Sequence, residues 1–259
     1  MAVQLHDVNM NSSRESLPKR FERKYYLPPA KVGLAYGLIR HVCLTDKAFP
    51  WEQINSLYFD TPDLDQHERS ASGDFYKDKV RIRWYGEDKD IEKEHPVFIE
   101  LKSRLGFSST KQRLRVLVPA DNLTLHKLSK GIVSGRLLSD TLSGFGYFPS
   151  QKMIPVIRIS YYRHRFTERI TGQHISIDYH TRSTMIVPGY GNGARDLELP
   201  GGVIEIKGQT LELPETLKRM RILETDWTRF SKYSACIDSH DEHPGSAGWL
   251  SPSGRNMRL

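Results

Sequence analysis

KVRIRWYG, residues 79–86, alternates with a period of two: Lys79, Arg81, Arg83 and Tyr85 share one side of an extended strand, and Val80, Ile82 and Trp84 the other. A half-buried strand ordinarily turns its apolar side to the core and its charges to water. The pattern returns downstream. In VFIELKSR (97–104), Phe98, Glu100, Lys102 and Arg104 oppose Val97, Ile99 and Leu101; in KQRLRV (111–116), Lys111, Arg113 and Arg115 oppose Gln112, Leu114 and Val116. PVIRISYYRHRF (155–166) sets Arg158 against Tyr161, Arg163 and Arg165, and GVIEIKG (202–208) sets Glu205 and Lys207 against Ile204 and Ile206.

A solvated sheet face normally mixes both signs, because like charges facing each other across strands repel. Here Arg and Lys dominate. Such a face persists if something anionic neutralises it, and a sheet closed into a barrel would aim these side chains at one bound anion while the apolar sides pack under outer helices. The plainer alternative is an antiparallel sheet with solvated basic residues, and alternation alone does not separate the two. Glu-x-Lys recurs with both side chains on the charged face: Glu22 with Lys24, Glu100 with Lys102, Glu205 with Lys207. Carboxylates weaken a grip on a polyanion unless they hold a divalent cation against its oxygens. Their other reading is as ordinary cross-strand ion pairs.

With 259 residues, 38% of them hydrophobic, the chain can bury a sizeable core, and its formal charge of +7 favours anionic partners. Cys43 and Cys236 stand far apart, without metal spacing, which fits a reducing, cytoplasmic setting. No apolar run approaches the ~20 residues that cross a bilayer, and the first residues lack a signal-peptide core. Residues 1–17 and 239–259 read as mobile tails around one domain, 18–238. Within it, strands are expected at 19–27, 54–61, 77–85, 96–104, 110–118, 153–168, 173–183 and 201–209. Helices are expected at 28–44, 62–71, within 120–145, and at 213–237. Asp60 and Asp63 read as helix-start chemistry.

FERKYYL, SLYFDT, KVRIRWYG, FIELKSR, KQRLR, ISYYRHRF, IEIKG and RFSKYSACI, in that order, resemble the triphosphate tunnel metalloenzymes (the CYTH-like superfamily). The nearest likeness is to their polyphosphate-polymerase branch, the VTC domain. The resemblance implies an α+β fold: a closed eight-stranded antiparallel β-barrel with a basic interior and helices packed outside. It implies that Arg81, Arg83, Lys102, Arg163 and Lys232 act in catalysis. Lys24, Lys79, Arg113, Tyr161, Ser231, Lys207 and Arg182 would bind phosphate, and Glu205, Glu100 and Glu22 a metal, Mn2+ or Mg2+. Two departures stand out. The hydrolase and cyclase branches carry Glu-x-Glu-x-Lys where this chain has Arg20, Glu22 and Lys24, and His174 replaces an arginine usual in the polymerases.

The activity so implied is in-line transfer of the γ-phosphoryl group of a nucleoside triphosphate such as ATP to pyrophosphate or a growing polyphosphate chain. A phosphate acceptor is already ionised at neutral pH, so positioning and charge stabilisation suffice. The rivals are hydrolysis of a triphosphate or polyphosphate on the same fold, and a non-catalytic polyphosphate-binding module. Nucleic acid is disfavoured by the glutamates on the charged face. Any membrane link would come through a separate partner.

Overall fold

The computed structural model describes residues 21–106, 108–187, 196–210, 212–228 and 230–242. Residues 1–17 and 243–259 of the expected tails, Arg20, and most of the Gly-rich segment 187–196 lie outside the described residues.

The chain runs β1 (Phe21–Leu27), α1 (Pro29–Val42), β2 (Cys43–Thr45), β3 (Trp51–Asp60), α2 (Asp65–Ala71), β4 (Tyr76–Tyr85), β5 (Glu94–Leu105) and β6 (Ser108–Pro119). It continues with α3 (Leu125–Leu128), α4 (Gly135–Gly144), β7 (Ile154–Glu168), β8 (His174–Met185), β9 (Asp196–Gly208), a 3-10 stretch (Glu215–Leu223) and α5 (Lys232–Glu242). Local chemistry sets the boundaries. Proline opens α1 in its first turn, where a missing N–H costs nothing. Ser134 accepts from the Leu137 N–H to open α4. Asp60 accepts backbone N–H bonds from Thr61, Gln66 and His67 and so turns β3 into α2; Asp63 instead takes the Gln151 side chain.

All pairings are antiparallel, in the order β1-β9-β8-β7-β3-β4-β5-β6, with β2 added against the end of β7. Among the described residues the sheet therefore has nine strands rather than the expected eight. Among the described residues no hydrogen-bonded ladder joins its two ends, β1 and β6, so it is a curled sheet, not a closed barrel. The short β2 escapes sequence patterning because three residues cannot display alternation. Curling is shown by side chains that meet across the concave side: Lys102 of β5 reaches Glu22 of β1 at 3.1 Å, although five strands separate them in the ladder.

The apolar sides of the strands do pack outward under helices. Val80, Ile82, Trp84, Val97, Ile99 and Leu101 join Leu128, Ile132, Leu138 and Leu142 in one core. Tyr25, Leu27, Ile175, Ile177, Ile204 and Ile206 join α1 and the 215–223 stretch in another. A third core lies on the concave side, where Tyr233, Cys236 and Ile237 of α5 pack on Ile54, Tyr58, Ile159 and Tyr161. Residues 213–237 are thus not one helix. Glu224 adopts φ 46° and stops the 3-10 turn, Thr228 N–H bonds Lys24 C=O, and Trp227 bridges Tyr25. This crossing along β1 delivers Phe230 and the start of α5 into the hollow.

Candidate functional site

Cross-strand register carries the charged side chains of seven strands onto the concave side. β4 pairs with β5 so that Arg81 faces Glu100 and Lys79 faces Lys102; β6 continues the row with Arg113 beside Glu100 and Lys111 beside Lys102. On the other flank Lys24 faces Glu205, and Arg163 faces Asp178. Three groups result.

The first centres on Glu100, whose side chain is fully buried. Arg81 lies 2.7 Å from its Oε2, Arg83 4.0 Å, and Lys111 2.5 Å from its Oε1. Burial pushes this carboxyl up, but Arg81, Arg83 and Lys111 outweigh it and hold its pKa at about 2. Arg81 also donates to the Tyr58 hydroxyl, and Arg83 to Ser56 and Tyr161. Both arginines are fixed before any ligand arrives.

The second group joins β7, β8, β9 and α5. Arg163 forms a two-pronged bridge to Asp178, at 2.5 and 2.7 Å, and reaches Glu205 at 3.0 Å. Lys232, in the first turn of α5, pairs with the same two carboxylates and lies 4.8 Å from the Tyr161 ring centroid. Burial opposes ionisation of Glu205, yet Lys232, Arg163, Lys24 and Lys207 keep its pKa well below the ordinary carboxylate range. Tyr161 is drawn to a lower pKa by Arg83, Arg163 and Lys232 against the effect of its own burial.

The third group is short of anions. Lys79 Nζ touches only hydroxyls, Ser231 at 2.6 Å and Ser70 at 3.1 Å, and makes no ion pair among the described residues. Burial, then Lys24, Lys102, Lys77 and Arg81, drive its pKa well below normal. Lys102 is brought to about 8, by burial first and by Lys24 and Lys207, despite its bond to Glu22. Glu22 is shared by Lys24, Lys102 and Lys207, and these cations, Lys24 foremost, lower its pKa. Ser231 caps α5, accepting the Ser234 N–H, and so brings a hydroxyl to Lys79.

Of the expected residues, the structure gathers Lys24, Lys79, Arg81, Arg83, Lys102, Tyr161, Arg163, Lys207, Ser231, Lys232, Glu22, Glu100 and Glu205 on this side. Arg113 stands at its edge on the exposed β6, 4.9 Å from the Phe98 ring centroid. Arg182 is elsewhere: its side chain is 64% exposed and paired with Glu198. The irregularity between Tyr179 and Thr181, with His180 at φ 48°, resets the alternation of β8 and leaves Arg182 facing out. His174 is exposed beside Lys207. Four residues outside the expected set complete the network: Asp178, Lys111, Ser56 and Tyr58. Lys111 was legible from alternation; Asp178 was visible only as an acid on a strand, because its partners come from β7 and α5.

The carboxylates are not equally suited to a metal. Glu22 and Glu205 lie on neighbouring strands and share Lys24 and Lys207; Glu22 is partly exposed, whereas Glu205 is nearly buried and paired with four cations, so this pair of hard oxygen donors would take a divalent ion only as those lysines give way. Glu100 does not fit, because its side chain has no exposed surface at all. Among the described residues no cluster of three or more acids, histidines or cysteines could hold a metal unaided. The named concave residues comprise ten cations (Lys24, Lys79, Arg81, Arg83, Lys102, Lys111, Arg113, Arg163, Lys207, Lys232) against Glu22, Glu100, Asp178 and Glu205. That surplus gives the hollow a positive potential.

Comparison with the curated proteins gives no match. Among solved structures, similarity extends to a candidate adenylate cyclase from Bacillus halodurans, 19% identical, TM-score 0.44, over 80% of this chain and 90% of that one. A candidate adenylyl cyclase from Hippeastrum, described as having a dominant triphosphatase activity, is 16% identical, TM-score 0.44, over 83% of this chain and 94% of that one. At these scores the likenesses carry no inference. The VTC domain profile matches residues 19–240, spanning every described strand, so the chain belongs to the VTC domain family.

Proposed function

We propose that the hollow holds a triphosphate or polyphosphate chain and transfers the γ-phosphoryl group of a nucleoside triphosphate to the end of that chain. The observation that carries this reading is the unbalanced inner charge, above all Lys79, a buried-side cation supplied with hydroxyls and no carboxylate among the described residues. Anchored arginines suit planar, bidentate contact with phosphate oxygens, and lysines act as point charges along a sliding chain. Arg81 and Arg83, preset by Glu100, Tyr58, Ser56 and Tyr161, would meet the reacting phosphates with little reorganisation. Arg163 and Lys232 oppose them from β7 and α5.

Glu22 and Glu205 are the residues that would hold Mn2+ or Mg2+, which when bound would neutralise phosphate charge. Lys24 and Lys207, which bridge those carboxylates, would offer point charges to phosphate oxygens beside them. No helix among the described residues is long and apolar enough to cross a membrane.

The test is incubation of the protein with ATP and Mn2+, products resolved by gel and by nucleotide and phosphate assay. A polyphosphate ladder with matching ADP is expected. ADP with equimolar orthophosphate and no ladder would establish hydrolysis instead; bound polyphosphate with no turnover would establish a binding module.

A further inference from the structure

A nucleoside triphosphate is only partly an anion, and its flat base needs a seat the charge network does not supply. Two aromatic side chains on the concave side, Tyr58 and Tyr161, are buried and already engaged, by Tyr233 and by Arg163 and Lys232. Tyr85 and Phe98 differ. Both are only partly buried, and they meet edge to face at a centroid distance of 5.7 Å. Register places Phe98 opposite Arg83, and Tyr85 stands two residues, about 7 Å, beyond Arg83 on the same side of β4. Along that row Lys79 touches Ser231 at the start of α5, and Tyr85, at the other end of the row, rests against the edge of the concave core. Over the Phe98 ring sits the Arg113 guanidinium, 4.9 Å from its centroid, on an exposed strand and with no ion pair among the described residues.

We infer that Phe98, Tyr85 and Arg113 form the seat for the base of the nucleoside triphosphate donor. This rests on the phosphoryl-transfer reading and adds the part of the donor that reading leaves unplaced. Arg113 stacks on an aromatic face and offers its other side, a geometry that accepts any π-surface and is indifferent to which base it carries. The seat adjoins Arg83, so a base held there leaves the phosphates among the anchored arginines. Trp51 and Tyr162, also stacked, lie on the opposite side of the sheet from Arg163 and have no route to those cations.

The experiment measures calorimetric affinities of ATP and of inorganic tripolyphosphate for wild type, Phe98→Leu, Phe98→Tyr and Arg113→Gln. Phe98→Leu keeps apolar bulk and removes the π-face on which Arg113 rests, so the guanidinium is no longer held flat for the base and the ATP-to-tripolyphosphate affinity ratio should fall about tenfold, as loss of one stacking contact predicts, with tripolyphosphate affinity unchanged. Phe98→Tyr should keep the wild-type ratio, and Arg113→Gln should lose more affinity for ATP than for tripolyphosphate. Retained tripolyphosphate binding shows that each variant is folded. An unchanged ratio in Phe98→Leu, with both ligands still bound, overturns the base seat and leaves the phosphate site standing. Failure of wild type to bind either ligand overturns both.

Discussion

Replacing Glu100 by Gln tests whether the inner charges are held in place as described. The side chain is fully buried, with Arg81 at 2.7 Å, Lys111 at 2.5 Å and Arg83 at 4.0 Å, so the change strands the two largely buried arginines and leaves Lys111, 40% exposed, to solvent. Breaking a buried pair by removing one partner costs about 3–5 kcal/mol. The carboxyl's own displacement, from 4.5 to about 2, gives a similar figure of about 3 kcal/mol. Because the folded-state pKa is depressed, this stability is fully present above pH 4.5 and is lost as pH falls toward 2. For a domain of this size the neutral-pH loss lowers Tm by roughly 10 °C. Thermal melts of wild type and Glu100→Gln from pH 7 down to pH 3 measure both effects. The variant should melt about 10 °C lower at pH 7, the gap should narrow on acidification, and tripolyphosphate should restore more stability to the variant than to wild type. Equal melting at pH 7, or a gap that stays constant into acid, would refute the three-cation cluster.

Three further outcomes are expected. Lys79→Met removes a cation with hydroxyl partners only, so thermal melting should be unchanged or slightly raised while tripolyphosphate affinity falls about tenfold by calorimetry; a destabilised variant with intact affinity would contradict it. Lys102, lowered to about 8, regains its proton when a polyanion arrives, so tripolyphosphate binding at pH 8 should take up protons, seen as heats that differ between buffers of different ionisation enthalpy, and affinity should weaken as pH rises above 8. Tyr233→Phe deletes the 2.6 Å bond to Asp60 under α5 and should cost about 1–3 kcal/mol in denaturant unfolding; no change would show that α5 is held by packing alone.

Much of this architecture was legible in the sequence because strands print their two sides as alternation. Lys79, Arg81 and Arg83 against Val80, Ile82 and Trp84 gave the sidedness of β4, and the same held for β5, β6 and β9. Alternation carries no information on curvature, so whether those sides met across a hollow awaited contacts such as Lys102 with Glu22. It also fails at irregularities, as Arg182 shows beyond His180. The break after Leu223 was hidden because LKRMRIL satisfies helical spacing; what ends the turn is the left-handed Glu224 and the bonds of Trp227 and Thr228 to β1, both tertiary. Glu100 and Glu205 were alike as Glu-x-Lys, and what tells them apart is tertiary: Glu100 collects its cations from β4 and β6, Glu205 from β1, β7, α5 and its own strand.

The link from Lys102 to Glu22 ties together strands that the amide ladder keeps remote. Part of the hold across that span is therefore electrostatic, and dissolved electrolyte screens that part over a Debye length of about 8–10 Å while leaving every backbone bond intact. Salt weakens this one tie between distant strands, whereas the apolar contacts of α5 beside it are indifferent to ionic strength.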